Sequence, residues 1–305
     1  MRTTRILSAI LAAVVCTAAL ASCANNATPD SAQDQPNSEN GQTKSLDEMT
    51  LADLAGKKIA AQAGTFHADA LNQIENVKGS TYPDFTDLLT ALKSGAIDGY
   101  IAEEPTAFSV CAQDDTLTYI PLKNNDTGFT ATAADVGIAI GLVDGSPMVE
   151  EINKVLADIT DEQKSALMEQ IVTLASGGEV ESFAVSCDKP ETTNGTFKVG
   201  MECAYEPYNW TDTDGSLPGS VAISGEGKDG LYANGYDVQI AQYVADKLGL
   251  ELEVYSYEWD SLIPAVQSGA IDAVIAGMSP TSEREEEIDF TDTYYESNLV
   301  IIVRK

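Results

Sequence analysis

The sequence predicts an α/β protein of two similar α/β lobes with a ligand cleft between them. Three observations carry this expectation. Short apolar runs of strand character alternate with amphipathic helical segments, which implies largely parallel sheets. One helix–strand unit occurs twice: Leu88–Ala102 (LLTALKSGAIDGYIA) and Leu262–Ala276 (LIPAVQSGAIDAVIA) agree at nine of fifteen positions at a constant offset of 174. The length of 305 residues, 44% of them hydrophobic, exceeds one ordinary compact unit and supplies enough apolar surface for a real core.

Taken in chain order, residues 1–22 read as an export signal. Arg2 and Arg5 provide the positive start, and Ile6 to Leu20 an apolar stretch shorter than a bilayer-spanning helix. Leu20-Ala21-Ser22-Cys23 resembles a bacterial lipobox, in which cleavage precedes the cysteine and its sulfur carries diacylglycerol; two acyl chains suffice for stable anchoring. Residues 23–48, rich in Asn, Gln, Ser, Asp and Pro, read as a flexible tether. The expected localisation is the cell membrane, lipid-anchored at Cys23 on its extracytoplasmic face.

Lys58–Gln62 is expected as a strand and His67–Ile74 as a helix. In the two repeat copies the helix comes first, with Gly95 and Gly269 as C-caps, and then the strands Ile97–Ala102 and Ile271–Ala276. Asp135–Leu142 reads as a strand, and Met148–Ile159 and Asp161–Leu174 as helices. Residues 175–196, rich in Gly, Ser, Thr and Glu, break both periodicities and read as a linker. Phe197–Cys203 is expected as a strand, Asp237–Leu248 as an amphipathic helix, and Glu251–Tyr255 and Leu299–Val303 as strands. In sheets of this kind ligands sit beyond the carboxyl ends of the strands. That directs attention to Gly64–His67, Glu103–Pro105, Glu202–Trp210, Trp259 and Gly277–Arg284.

Lys+Arg number 17 against Asp+Glu 48, a formal net charge of −31. So acidic a chain disfavours nucleic acid, whose phosphates need clustered Lys and Arg, and a basic peripheral membrane anchor. One His and five Cys exclude a His-rich metal site and a disulfide-dense scaffold. With Cys16 in the signal and Cys23 acylated, Cys111, Cys187 and Cys203 remain; either Cys187 pairs with Cys203 across the linker, or all three are free. Asp212-Thr213-Asp214-Gly215 lacks the spaced ligands of a calcium loop and reads as a turn. No cofactor and no catalytic constellation is expected.

Phe197–Trp210 (FKVGMECAYEPYNW), Gly235–Leu248, Trp259–Asp272, Gly277–Arg284 (GMSPTSER) and Asp289–Lys305 resemble the first lobe of the polar amino-acid-binding lipoproteins of ABC importers, solute-binding protein family 3. Ala61–His67 (AQAGTFH), Ser94–Ala107 and Val136–Leu156 resemble its second lobe. The resemblance implies the periplasmic binding protein-like II fold, here with its halves in reversed order, as in a circular permutant. It divides the chain into lobe 2 (49–138), a return crossing strand with C-terminal-type helices (139–174), a linker joining the old termini (175–196), lobe 1 (197–298), and a crossing strand (299–305) expected to dock on lobe 2. Free surface termini make such a rearrangement physically reasonable.

The resemblance also implies a site. Arg284 is the expected partner of a ligand carboxylate, onto which its guanidinium forks, at the start of a helix Thr281–Arg284 whose N–H groups add to it. Gly277, Met278 and Ser279 belong to the same segment, and Gly64, Thr65 and Phe66 offer amides at another helix start. Glu103 is the ammonium partner. Tyr205 and Trp259 sandwich the ligand side chain, and Glu202 pairs a cationic side chain. His67 lines the cleft or is structural. The implied partners are an amino acid (Lys or Arg first, Gln or His next) and an ABC permease, with the protein a monomer. The competing expectations are a dehydratase-like enzyme with Glu103 or Glu202 as general acid/base, and an amino-acid sensor or adhesin.

Overall fold

The computed structural model describes residues 44–190 and 194–305. The export signal, Cys23 and nearly all of the expected tether lie outside the described residues. The first part of the fold alternates β1 (Ile59–Gln62), α1 (Phe66–Ala70), β2 (Ser80–Tyr82), α2 (Phe85–Ser94), β3 (Gly99–Glu103), α3 (Glu104–Gln113) and β4 (Leu117–Pro121). Then come α4 (Ala133–Val136), β5 (Gly137–Ile138), β6 (Gly141–Leu142), α5 (Met148–Leu156) and α6 (Asp161–Ala175). The remainder holds β7 (Thr196–Met201), β8 (Ala204–Tyr205), β9 (Asn209–Asp212), β10 (Val221–Ser224), β11 (Tyr232–Asn234), α7 (Tyr236–Leu248), β12 (Glu251–Ser256), α8 (Leu262–Gln267), β13 (Ala273–Val274), β14 (Asp289–Phe290), β15 (Tyr295–Glu296) and β16 (Leu299–Arg304).

Two principal sheets result. The first has the order β2-β1-β3-β16-β4, with β2, β1 and β3 parallel and β16 antiparallel to both its neighbours. The second runs β14-β6-β13-β7-β12-β10-β11-β9-β8, with β13, β7, β12 and β10 parallel. Each sheet therefore takes one strand from the other part of the chain: β16 enters the first between β3 and β4, and β6 enters the second between β13 and β14. β5 and β15 pair with each other next to these crossings. The mixed α/β fold expected from the alternation is present.

Local chemistry accounts for the elements. The Asp84 carboxylate caps α2 by accepting from the Asp87 N–H at 2.8 Å. Phe85, Leu88, Ala91 and Leu92 bury one face of that helix, and Gly95 stops it at φ +80°, where a Cβ would be strained. β16 is β-branched and apolar, with Ile301 and Ile302 fully buried, and its ladder with β3 runs from Leu299 opposite Glu103 to Val303 opposite Gly99.

Four expectations need correction. Asp135–Leu142 is not one strand: Thr132 and Asp135 form a capping box that opens the short helix α4. Beyond it, Ala139 and Ile140 give their N–H groups to the Met278 carbonyl and the Thr291 hydroxyl, interrupting the ladder between β5 and β6. Gly269 is not the cap residue of its helix; α8 ends at Gln267 with Ser268 as cap, and the left-handed Gly269 follows. Thr281–Arg284 does not form a helix; a three-residue 3₁₀ turn begins at Arg284 itself. Cys187 and Cys203 are not bridged: both are free, as is Cys111, with Cys203 buried.

Candidate functional site

The carboxyl ends of the parallel strands of both sheets meet. β1 delivers Gln62, Thr65, Phe66 and His67, and β3 delivers Glu103; from the second sheet come Tyr205 after β7, then Gly277, Ser279 and Arg284 after β13. These residues line one narrow cavity together with Phe85 and Trp259. The space they leave is about 10 Å³, room for about one water molecule. A bound amino acid therefore requires the walls to part.

Arg284 is held by backbone oxygens. Nη1 donates to the Ser279 carbonyl at 2.8 Å and Nη2 to the Gly64 carbonyl at 3.0 Å. Trp259 Nε1 donates to the same Gly64 oxygen at 3.1 Å, and the guanidinium carbon lies 5.3 Å from the Trp259 ring centre. None of the salt bridges among the described residues includes Arg284. Burial depresses its pKa, yet a guanidinium stays protonated. The segment thus holds a cation whose neutralising anion is not a neighbouring side chain, although four glutamates flank it in sequence.

Glu103 presents the opposite charge. Its Oε1 lies 2.9 Å from His67 Nε2, and both residues are buried. Glu103 Oε2 and His67 Nδ1 have no hydrogen-bond partner among the described residues. An orphaned buried carboxylate oxygen costs about 1–3 kcal/mol, which a ligand donor would recover. His67 thus belongs to the cleft.

Glu202 stands behind Gln62, outside the narrow lining. Gln62 Nε2 donates to its Oε1 at 2.7 Å, joining the two sheets, while Oε2 is unpartnered. Burial first, then the carboxylates of Asp84, Glu258 and Asp260, push the Glu202 pKa up to about 7 against the opposing Gln62 hydrogen bond. Tyr205 stacks on Phe85, with centroids 4.0 Å apart and planes 9° apart. Its other close ring is Tyr208 at 4.8 Å, so Tyr205 and Trp259 share the cavity without facing each other as a sandwich. Gly277 permits the approach of Tyr205, since a Cβ there would lie 3.0 Å from the ring. Met278 departs from expectation: it is 1% exposed and packs in the core with Leu262, Val266 and Ile288, so it is removed from the candidate site. Gly64 contributes its carbonyl, and Thr65 caps α1 with its hydroxyl bonded to the Gln62 carbonyl at 2.8 Å.

Phe85 and Gln62 escaped the sequence reading. Gln62 is the last residue of an expected strand, so the carboxyl-end rule could have reached it. Phe85 follows β2, whose three residues are mostly exposed and carry no periodicity. The Asp212 turn is confirmed as local structure, its carboxylate accepting from the Leu217 N–H and the Ser220 hydroxyl. Among the described residues no cluster of three His, Cys, Asp or Glu side chains is placed to hold a metal, and no helix is long and apolar enough to cross a membrane.

Residues 224–305 match the model of the bacterial extracellular solute-binding proteins, family 3. The arginine-binding extracellular protein ArtP of Bacillus subtilis (strain 168) is 42% identical over 80 residues, which is 26% of this chain and 31% of ArtP. A probable histidine-binding protein of Campylobacter jejuni is 32% identical over 132 residues, 40% of this chain and 45% of that protein. The chain thus spans less than half the length of these curated relatives. Among solved structures, an ancestral arginine-binding protein bound to arginine is 36% identical over 34% of this chain and 38% of that one, at a TM-score of 0.27. Through residues 224–305 the chain belongs to the bacterial extracellular solute-binding proteins, family 3.

Proposed function

We propose that the protein is an extracytoplasmic binding lipoprotein that captures a polar, cationic amino acid and hands it to an ABC transporter permease. The observation that carries the reading is the meeting of Arg284 and Glu103 on one buried cavity, each from a different sheet, with one Glu103 oxygen left unpartnered. A zwitterion carries the complementary charges, its carboxylate for Arg284 and its ammonium for Glu103. Glu202, buried and with its own unpartnered oxygen, favours a ligand with a further positive charge, Lys or Arg before Gln or His. Because the two charge partners lie on separate sheets, the ligand favours the closed arrangement by contacts the open one lacks.

The proposal includes residues 49–138 as one lobe and 197–298 as the other, in an order reversed relative to the family, with anchoring through acylated Cys23. The insertion of β16 between β3 and β4 supports the exchange of strands that such an order requires. Thermal-shift measurements against the twenty amino acids test the ligand. Lysine and arginine are expected to raise the melting temperature most, glutamine and histidine less. The reading fails if none of the twenty raises it. Disappearance of the amino acid from the supernatant by reaction would instead favour an enzyme.

A further inference from the structure

A second cavity, of about 500 Å³, lies beside the cleft and also has walls from both sheets. α2 and α3 form one wall and the segment 203–211 the other. Its apolar surface comes from Phe85, Leu89, Tyr100, Val110 and Trp210. Such a mixture of volume and aromatic lining is typical of small-molecule sites.

The charges in the wall are not balanced. Lys93 is paired with Asp114 at 2.6 Å and holds that carboxyl down to about 2. Glu206 has no cation. It accepts from the Ser109 hydroxyl and the Gln113 amide on α3, both at Oε1, so among the described residues Oε2 has no donor. Thr106, also in the wall, is 2% exposed and its hydroxyl has no partner. One uncompensated carboxylate, one orphaned hydroxyl and an aromatic surround favour a cation with an apolar body.

We propose that this cavity is a second ligand site, specific for a small organic ammonium ion bearing an aromatic group, with Glu206 as the charge partner. The site needs both walls, so its ligand binds only when the two sheets are together. Phe85 lines both cavities, and its ring separates them by stacking on Tyr205. Occupancy of either cavity fixes the same partition, and the coupling is reciprocal. The inference does not depend on what the cleft binds.

Isothermal titration with tryptamine, tryptophol and indole-3-propionate tests it, because the three share one ring and differ in charge. Tryptamine is expected to bind about tenfold or more tighter than tryptophol, as a charge-assisted hydrogen bond implies, and indole-3-propionate weakest. Glu206→Gln should remove the preference for the amine. Leu89→Trp should fill the cavity and abolish tryptamine binding; if it lowers the melting temperature, Val110→Phe replaces it. The proposal is overturned if no indole binds at millimolar concentration. It is equally overturned if tryptophol matches tryptamine, if Glu206→Gln keeps the preference, or if lysine displaces tryptamine by simple competition. Tryptamine binding without any amino-acid binding would leave this site standing and remove the function proposed for the cleft.

Discussion

The two copies of the repeated segment perform the same structural task and then part at their last residue. In one, the Ala91 carbonyl accepts from the N–H groups of Ala96 and Ile97; in the other, the Ala265 carbonyl accepts from Ala270 and Ile271. The Ser94 and Ser268 hydroxyls each bond the same carbonyl of their own copy at 3.0 Å. Asp98 accepts the Lys58 N–H at 2.9 Å, and Asp272 accepts the Lys198 N–H at 2.8 Å. The identical residues therefore fasten a helix end to a parallel strand, which is a folding role. One residue past the repeat, β3 ends in Glu103, whereas the equivalent place after β13 is Gly277. The first copy delivers a carboxylate; the second opens space for Tyr205 and leads on to the guanidinium of Arg284. Scaffold was retained in both, and the charges beyond it became complementary.

That complementarity is broken most severely by removing the cation. Arg284→Ala is expected to weaken amino-acid binding about a hundredfold or more, the usual cost of truncating one partner of a buried charge pair. Glu103→Gln keeps the shape and the contact with His67 and should cost less, about tenfold to a hundredfold. Titration calorimetry with lysine measures both. Unchanged affinity in the arginine variant would show that the two copies do not converge on one ligand.

A second difference separates the ends of the first strands, where Gln62 meets Glu202. The Glu202 carboxyl titrates near 7 in the folded protein and near 4.5 when unfolded. Between these values the folded state holds more protons, so stability falls as pH rises through the window, by up to about 1.4 kcal/mol per pH unit. Asp237, buried and pushed up to about 6, adds a decline of the same sign in wild type and variant alike. Denaturant midpoints of wild type and Glu202→Gln from pH 4.5 to 7.5 isolate the Glu202 share: the variant should lose part of the slope. Saturating lysine should flatten the wild-type slope, since a nearby cation favours the carboxylate. Parallel curves for the two proteins would deny Glu202 its raised pKa.

Much of this arrangement was readable from residues. The repeat disclosed two equivalent helix–strand units because identical hydrogen-bonding requirements preserve identical letters. Arg284 and Glu103 were reachable because charged groups after apolar strands stand out. Phe85 was hidden, since its preceding strand is short and exposed and a phenylalanine at a helix start looks like core. Met278 misled for the opposite reason: it stands between two cleft residues, but its side chain turns into the core under α8. The break between β5 and β6 was invisible because Asp135–Leu142 has a strand's composition, and its backbone partners come from residues about 140–150 positions away.

The smallest expected effect concerns the one strand position at which the copies differ by a single methyl group. Gly99 in β3 corresponds to Ala273 in β13. A Cβ on Gly99 would lie 2.8 Å from Ile301 Cγ2 and 3.0 Å from both the Ile302 carbonyl oxygen and Val303 Cγ1. The side chains could rotate, but the carbonyl belongs to β16, whose ladder with β3 and β4 fixes it. Ala273 instead lies between β6 and β7 and is itself fully buried. Gly99→Ala should therefore cost about 1–3 kcal/mol through overpacking and lower the melting temperature by a few degrees. Ala273→Gly should cost less, about 0.5–1 kcal/mol from backbone entropy. The two numbers separate the strand's own preference from the pressure of β16 on its neighbour. Were Gly99→Ala neutral, β16 would not be seated against β3 as described, and the exchange of strands between the two sheets would lose its support.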